Sequence, residues 1–189
     1  MTTLAYALLG LIQRTPLSGY ALMRTFQTTP MGQYSGSPGA VYPALRKLET
    51  AKLIRGQIQE RSSLRPRRVY RLTPRGRTAL RRWLEPEVAP EDVERREPEL
   101  MLRFALMEGV LPEEDVRRFL TSFARAIDQY IERLEPFLEA PGMSTHSTLA
   151  LEGGLDGLRG RATWARRALR VVGRGDTRSI TRRRVRKRR

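Results

Sequence analysis

Residues 37–56, SPGAVYPALRKLETAKLIRG, decide how this chain is read. Ser37 can cap a helix that opens on Pro38, because proline's missing N–H is not needed at the first helical position. Val41, Leu45 and Leu48 then recur at i, i+4 and i+7, a single apolar stripe that has to be buried. With that stripe inward, the rotation of about 100° per residue turns Gly39, Tyr42, Pro43 and Arg46 outward, and leaves Ser35 and Ser37 at the N-terminal end. Helix-start amides, hydroxyls, a phenol and a guanidinium on one surface suit entry into a major groove beside phosphates. Pro43 breaks a rule, since inside a helix it removes one hydrogen bond and strains the preceding turn by about 3 kcal/mol. Conflicts of this kind are expected at functional sites; the alternative is a helix that starts only at Pro43.

Two further helices precede this one. Leu4, Leu8, Leu11 and Ile12 form a one-sided stripe closed by Thr15-Pro16, and Ser18-Gly19 opens a second helix with Leu22 and Phe26 on one side. Residues 27–36, QTTPMGQYSG, read as a loop. Three short helices in about fifty residues match the scale of a helix-turn-helix. Residues 53–74, LIRGQIQERSSLRPRRVYRLTP, then alternate β-branched and aromatic residues with charges around a basic loop, which predicts a two-stranded hairpin or wing. Its Arg61, Arg65, Arg67 and Arg68 suit minor-groove or phosphate contact, the alternative being a solvated charge run. Thr73 and Pro74 open a fourth helix with Leu80, Trp83 and Leu84 on its apolar side, ending at Glu85-Pro86.

The following acidic, proline-marked stretch 86–98, PEVAPEDVERREP, reads as a boundary. The expected organisation is a winged-helix domain over 1–86, a linker over 87–97, a helical domain over 98–172 and a basic, disordered tail over 173–189. Pro98 and Pro112 sit where helices can begin. Val116, Leu120, Phe123, Ile127, Tyr130, Leu134 and Phe137 hold a heptad seam, with Glu113, Glu114 and Asp115 in the first turn, where the helix dipole favours them. A second seam runs through Leu151, Leu155, Leu158, Ala162, Ala165, Leu169 and Val172. Gly153, Gly154, Gly157 and Gly160 count against its N-terminal half at about 1 kcal/mol each. Two long amphipathic helices on a small head predict a dimerisation arm, with Phe123, Ile127, Tyr130, Leu134, Leu155, Leu158 and Leu169 at the interface; the alternative is a helical hairpin within one chain. The fold class is therefore mainly α with a small β-hairpin: a winged helix-turn-helix head plus an α-helical C-terminal dimerisation arm.

Charge agrees with this division. The 189 residues carry 36 Lys and Arg against 20 Asp and Glu, a net charge of +16 and a pI near 11.4, which marks a partner of polyanions. Residues 1–90 carry a net +11, residues 91–142 a net −6 and residues 143–189 a net +11, so the basic head, not the acidic middle, is the part suited to nucleic acid. The chain has no cysteine, which removes disulfides and thiolate metal sites. Its apolar start lacks the basic lead and cleavage pattern of a signal peptide, and no stretch reaches membrane-span length, so a cytoplasmic location is expected. The single histidine, His146, lies in a Gly/Ser/Thr-rich loop with no second ligand, and no nucleophile or phosphate-loop motif is present, so neither catalysis, metal nor cofactor is expected.

Residues 17–26 (LSGYALMRTF), 37–56 and 67–84 (RRVYRLTPRGRTALRRWL) together resemble the winged-helix domain of PadR-family transcriptional regulators. Gly39, Tyr42, Pro43, Leu45, Leu48 and Glu49 fit the recognition-helix run, and Tyr70, Leu72, Thr73 and Gly76 fit the run entering the fourth helix. The resemblance covers residues 4–84. It implies a homodimer on the double-stranded DNA of a pseudo-palindromic operator, and a repressor released by a small aromatic or lipophilic effector. The aromatic candidates for effector contact are Trp83, Phe104, Phe123 and Tyr130. The glycines at 151–160 and the Arg-rich tail depart from the family pattern. A sequence-nonspecific, nucleoid-type binder is the competing reading of the same charge.

Overall fold

The computed structural model describes residues 1–34, 37–61 and 64–172. Helix α1 (Thr3–Arg14) starts where the Thr2 hydroxyl accepts the Ala5 N–H at 3.3 Å, and it is enclosed almost all round, with Leu8, Leu9, Leu11 and Ile12 buried. An apolar run of this kind makes α1 the central post of the first unit. Against it pack α3 (Pro38–Thr50) and α4 (Pro74–Leu84), and α2 (Gly19–Thr28) packs on α3; the three contribute Val41, Leu45 and Leu48, Leu80 and Leu84, and Leu22 and Phe26 to the core. The region between α2 and α3 includes a 3-10 turn at Pro30–Tyr34.

The sheet has three strands where the sequence predicts two. Strand β1 (Leu17–Ser18) pairs antiparallel with β3 (Leu64–Leu72), which pairs in turn with β2 (Ile54–Arg61), giving the order β1-β3-β2. A two-residue strand carries no periodicity, and Ser18 also caps α2 by accepting the Ala21 N–H at 3.2 Å, so its helix signal masks its strand role. Helix α3 ends in a Schellman arrangement: Lys52 takes φ +57°, its N–H reaches the Glu49 carbonyl, and the Leu53 N–H reaches the Leu48 carbonyl, both at 2.9 Å. That turn launches β2. The Thr73 hydroxyl closes the other end, donating to the Lys52 carbonyl at 2.7 Å and accepting the Gly76 N–H at 3.0 Å. Gly76 is required there, because a Cβ would run into the Leu53 carbonyl oxygen.

The described residues divide into two units, the first comprising 1–84 with 105–110 and the second 85–104 with 111–172. Helix α5 (Pro90–Met107) runs through much of the stretch read above as a linker, with Asp92 accepting the Ala89 N–H at its start. It breaks at Arg96 (φ −136°, ψ 23°), just before Pro98, which has no N–H for the preceding turn. In the second unit α6 (Glu113–Leu134) and α7 (Thr145–Val172) pack on each other. Phe119, Leu120, Phe123, Ala126 and Ile127 of α6 and Leu155, Ala162 and Ala165 of α7 are buried, and Arg159–Glu135 (2.8 Å) and Arg166–Asp128 ion pairs flank them. Helix α7 runs through all four glycines, and its first turn takes in His146, which the sequence places in a loop. The basic tail lies outside the described residues.

Candidate nucleic-acid interface

Helix α3 is continuous through Pro43, so it does not begin there. Ser37 stands at the N-cap and its carbonyl accepts the Ala40 and Val41 N–H groups at 3.1 Å, but its hydroxyl makes no capping bond and stays outward. Gly39, Tyr42 and Arg46 are exposed and Pro43 is half-buried, while Val41, Leu45 and Leu48 are buried, the division that the helical period predicts. Ser35 lies outside the described residues. The Tyr42 ring lies against the start of α2: a Cβ on Gly19 would come within 2.8 Å of its Cε1 atom. Glycine at 19 therefore lets the ring approach α2 closely while 38% of the residue stays exposed.

The wing brings its arginines to different places. Arg67 is exposed and reaches the Gln59 amide oxygen across the hairpin at 3.3 Å. Arg68 is engaged closer in, where its Nη2 donates to Glu49 Oε1 at 2.8 Å and its guanidinium stands 6.0 Å from the Tyr70 ring centre. Arg61 and Arg65 are placed on β2 and β3 by their backbones alone. Burial pushes the Tyr70 phenol upward from its ordinary range, with Arg68, Glu49, Tyr42 and Arg46 all close enough to act on it. For Glu49, burial raises the carboxyl, but the Arg68 hydrogen bond, the Gly56 N–H and the Arg68 charge outweigh it and hold it below the ordinary carboxylate range. Recognition helix and wing base thus share one polar neighbourhood. Glu49 was read from the sequence only as part of a motif; its role was not visible because its partners lie 7 and 19 residues away.

The four aromatic candidates for effector contact are divided between the two units. Trp83, in the first unit, stacks on Tyr6 at 4.4 Å with the rings 4° apart. In the second unit Phe104 and Phe123 both approach Trp164, at 5.2 and 6.5 Å. Tyr130 carries the Arg133 guanidinium at 5.3 Å. Sequence reading missed Trp164, which adjoins the seam residue Ala165 but falls outside the heptad spacing. It also missed Arg103, a buried arginine that donates to the Pro86 carbonyl and stands over the Phe119 ring. Among the described residues no group of His, Cys, Asp or Glu is arranged to hold a metal, and no helix is long and apolar enough to cross a membrane.

The residues expected at a dimer interface divide by burial within the single chain. Phe123, Ile127 and Leu155 are wholly buried within the single chain, where α6 and α7 cover each other. An apolar seam has no label for its partner, and here the nearest helix of the same chain takes it. Tyr130, Leu134, Leu158 and Leu169 remain partly exposed, and Phe137 is 58% exposed.

A helix-turn-helix whose third helix turns a polar, basic face outward, followed by an antiparallel wing, defines the first unit as a winged-helix domain. Residues 8–82 match the family described as the transcriptional regulator PadR-like family, so the head is similar to the DNA-binding part of those regulators. A curated relative, the negative transcriptional regulator PadR of Bacillus subtilis (strain 168), is 33% identical over 85 residues, 44% of this chain and 46% of that protein. The chain thus spans about half the length of the curated relative it matches. Among solved structures, Bacillus subtilis PadR in complex with operator DNA is similar over 89% of this chain and 98% of that one, at 24% identity and a TM-score of 0.41. A PadR-like transcriptional regulator from Bacillus cereus is similar over 91% and 99%, at 20% identity and a TM-score of 0.39. Bacillus subtilis PadR in complex with p-coumaric acid is similar over 90% and 96%, at 23% and 0.37.

Proposed function

We propose that this protein is a sequence-specific, double-stranded-DNA-binding repressor that works as a homodimer on an inverted repeat, and that a small aromatic or lipophilic effector relieves it. The observation that carries the reading is the two-sidedness of α3: Val41, Leu45 and Leu48 anchor it in the core while Gly39, Tyr42 and Arg46 face outward. Base edges are read by side chains held rigidly at that place, and phosphates by the amides and cations around them. Ser37, Pro43 and the wing arginines Arg61, Arg65 and Arg67 complete the contact surface, and Ser35 belongs to it by sequence. The partly exposed Tyr130, Leu134, Leu158 and Leu169 support a second copy docking on the helical unit. The effector reading draws support from the Phe104–Phe123–Trp164 group in that unit and from what the resemblance of the head implies. A regulator of this kind works in the cytoplasm and needs no cofactor.

Replacement of Arg46 tests the contact surface. Arg46→Ala is expected to weaken binding to a selected site by about 1–3 kcal/mol while costing a random duplex much less, because base contacts set the preference and phosphate contacts set the background. Fluorescence anisotropy on both duplexes reads the ratio. An equal loss on the two would make Arg46 a phosphate contact and favour a sequence-nonspecific binder.

A further inference from the structure

We infer that Glu49 is a positioning residue that locks the wing to the recognition helix, and that Arg68 is its anchor and not a contact to DNA. The inference rests on the DNA-reading function proposed above. Glu49 lies in the last turn of α3, and its Oε1 atom accepts both the Arg68 Nη2 of β3 at 2.8 Å and the Gly56 N–H of β2 at 2.9 Å. One oxygen therefore ties three elements. Gly56 leaves the room for it: a Cβ there would meet Glu49 Oε1 at 2.9 Å and the Arg68 Nε closer still. The register sets the clasp, with Gly56 opposite Tyr70 and Ile58 opposite Arg68. Tyr70 is buried beneath, and the Arg68 guanidinium lies over its ring.

Charge sharpens the case. Glu49 and Glu60 are the only acids between residues 37 and 84, a segment otherwise rich in arginine. An acid kept on a surface that faces a polyanion works against binding, and removing it should tighten every complex with DNA. A positioning role predicts the opposite for a preferred site, because helix and wing would no longer be held at the spacing that their two grooves require. Hydrogen bonds to charged groups are strong enough to hold such a spacing.

The test uses the full chain and two probes at about 150 mM salt: a genomic fragment selected by the wild-type protein, and a random duplex of equal length. Glu49→Ala is expected to weaken binding to the fragment about tenfold and to leave the random duplex unchanged or tighter. Glu49→Gln keeps an acceptor oxygen and should recover most of the loss. On the fragment Arg68→Ala should match Glu49→Ala, the double variant should add nothing further, and the slope of log K against log salt should not fall. In the free protein, the Gly56 amide proton should shift and exchange faster in Glu49→Ala. Melting curves confirm that each variant folds, and Glu49→Ser with Arg68→Gln carries the comparison if an alanine variant does not. The inference is overturned if Glu49→Ala binds both probes as well as wild type, if Arg68→Ala lowers the salt slope by about one, or if the Gly56 amide is unmoved. A wild-type protein that prefers no fragment overturns the DNA-reading function instead, while the Gly56 amide still reports whether the clasp exists.

Discussion

Pro43 sits in the middle of α3 with no N–H to offer the Gly39 carbonyl, and its ring crowds the turn that presents Gly39 outward. The helix tolerates this because three buried side chains on its other face, Val41, Leu45 and Leu48, hold it in the core. The result is a helix start that is anchored from behind and lacks one backbone hydrogen bond, next to the exposed ring of Tyr42. Pro43→Ala should therefore stabilise the head by up to about 3 kcal/mol in a urea titration and yet lower its preference for a selected site over a random duplex. Stabilisation with an unchanged preference would leave Pro43 no part in recognition. At this scale the sequence was informative wherever a residue's role depends on its own backbone or near neighbours, as for Ser18, Thr73 and the outward set on α3. It was silent where the partner is distant: nothing local reveals that Arg68 is held by Glu49, that Gly19 makes room for Tyr42, or that Lys52 adopts a left-handed conformation.

Helices α6 and α7 show how far periodicity reaches. The seven-residue spacing of Leu120, Phe123 and Ile127 established an apolar face, and the structure buries all three, but the cover is α7 of the same chain. Periodicity measures that a face must be covered and says nothing of what covers it. The glycines of α7 are the converse case, since their propensity argued against a helix that packing and length sustain. Gly157 lies on the exposed side with nothing within 4 Å of a built Cβ. Gly157→Ala is accordingly expected to raise the stability of the helical unit by about 0.5–1 kcal/mol, measured by thermal unfolding. A loss of stability accompanied by dissociation in sedimentation would instead show that a second chain approaches α7 at this glycine. The same balance explains the break in α5, where Pro98 marked a helix start correctly but the residues before it, read as a linker, form a helical segment of their own.

Across the whole molecule the charge is segregated along the chain: a net +11 in residues 1–90 and a net −6 in residues 91–142. Composition made that division legible without any structure, and the head's architecture followed from four helical stripes, a hairpin pattern and the helix openings at Ser18, Ser37 and Thr73. The third strand of the sheet and the clasp between wing and recognition helix emerged only from tertiary contacts. The central claim, that this basic head reads DNA sequence, is tested most directly by incubating the purified 189-residue chain with sheared genomic DNA at about 150 mM salt, where phosphate-only binding is largely suppressed, and sequencing what it retains. The account predicts a small set of fragments sharing an inverted repeat, with half-sites about one helical turn apart. Uniform retention across the genome would contradict it and leave a nonspecific polyanion binder in its place.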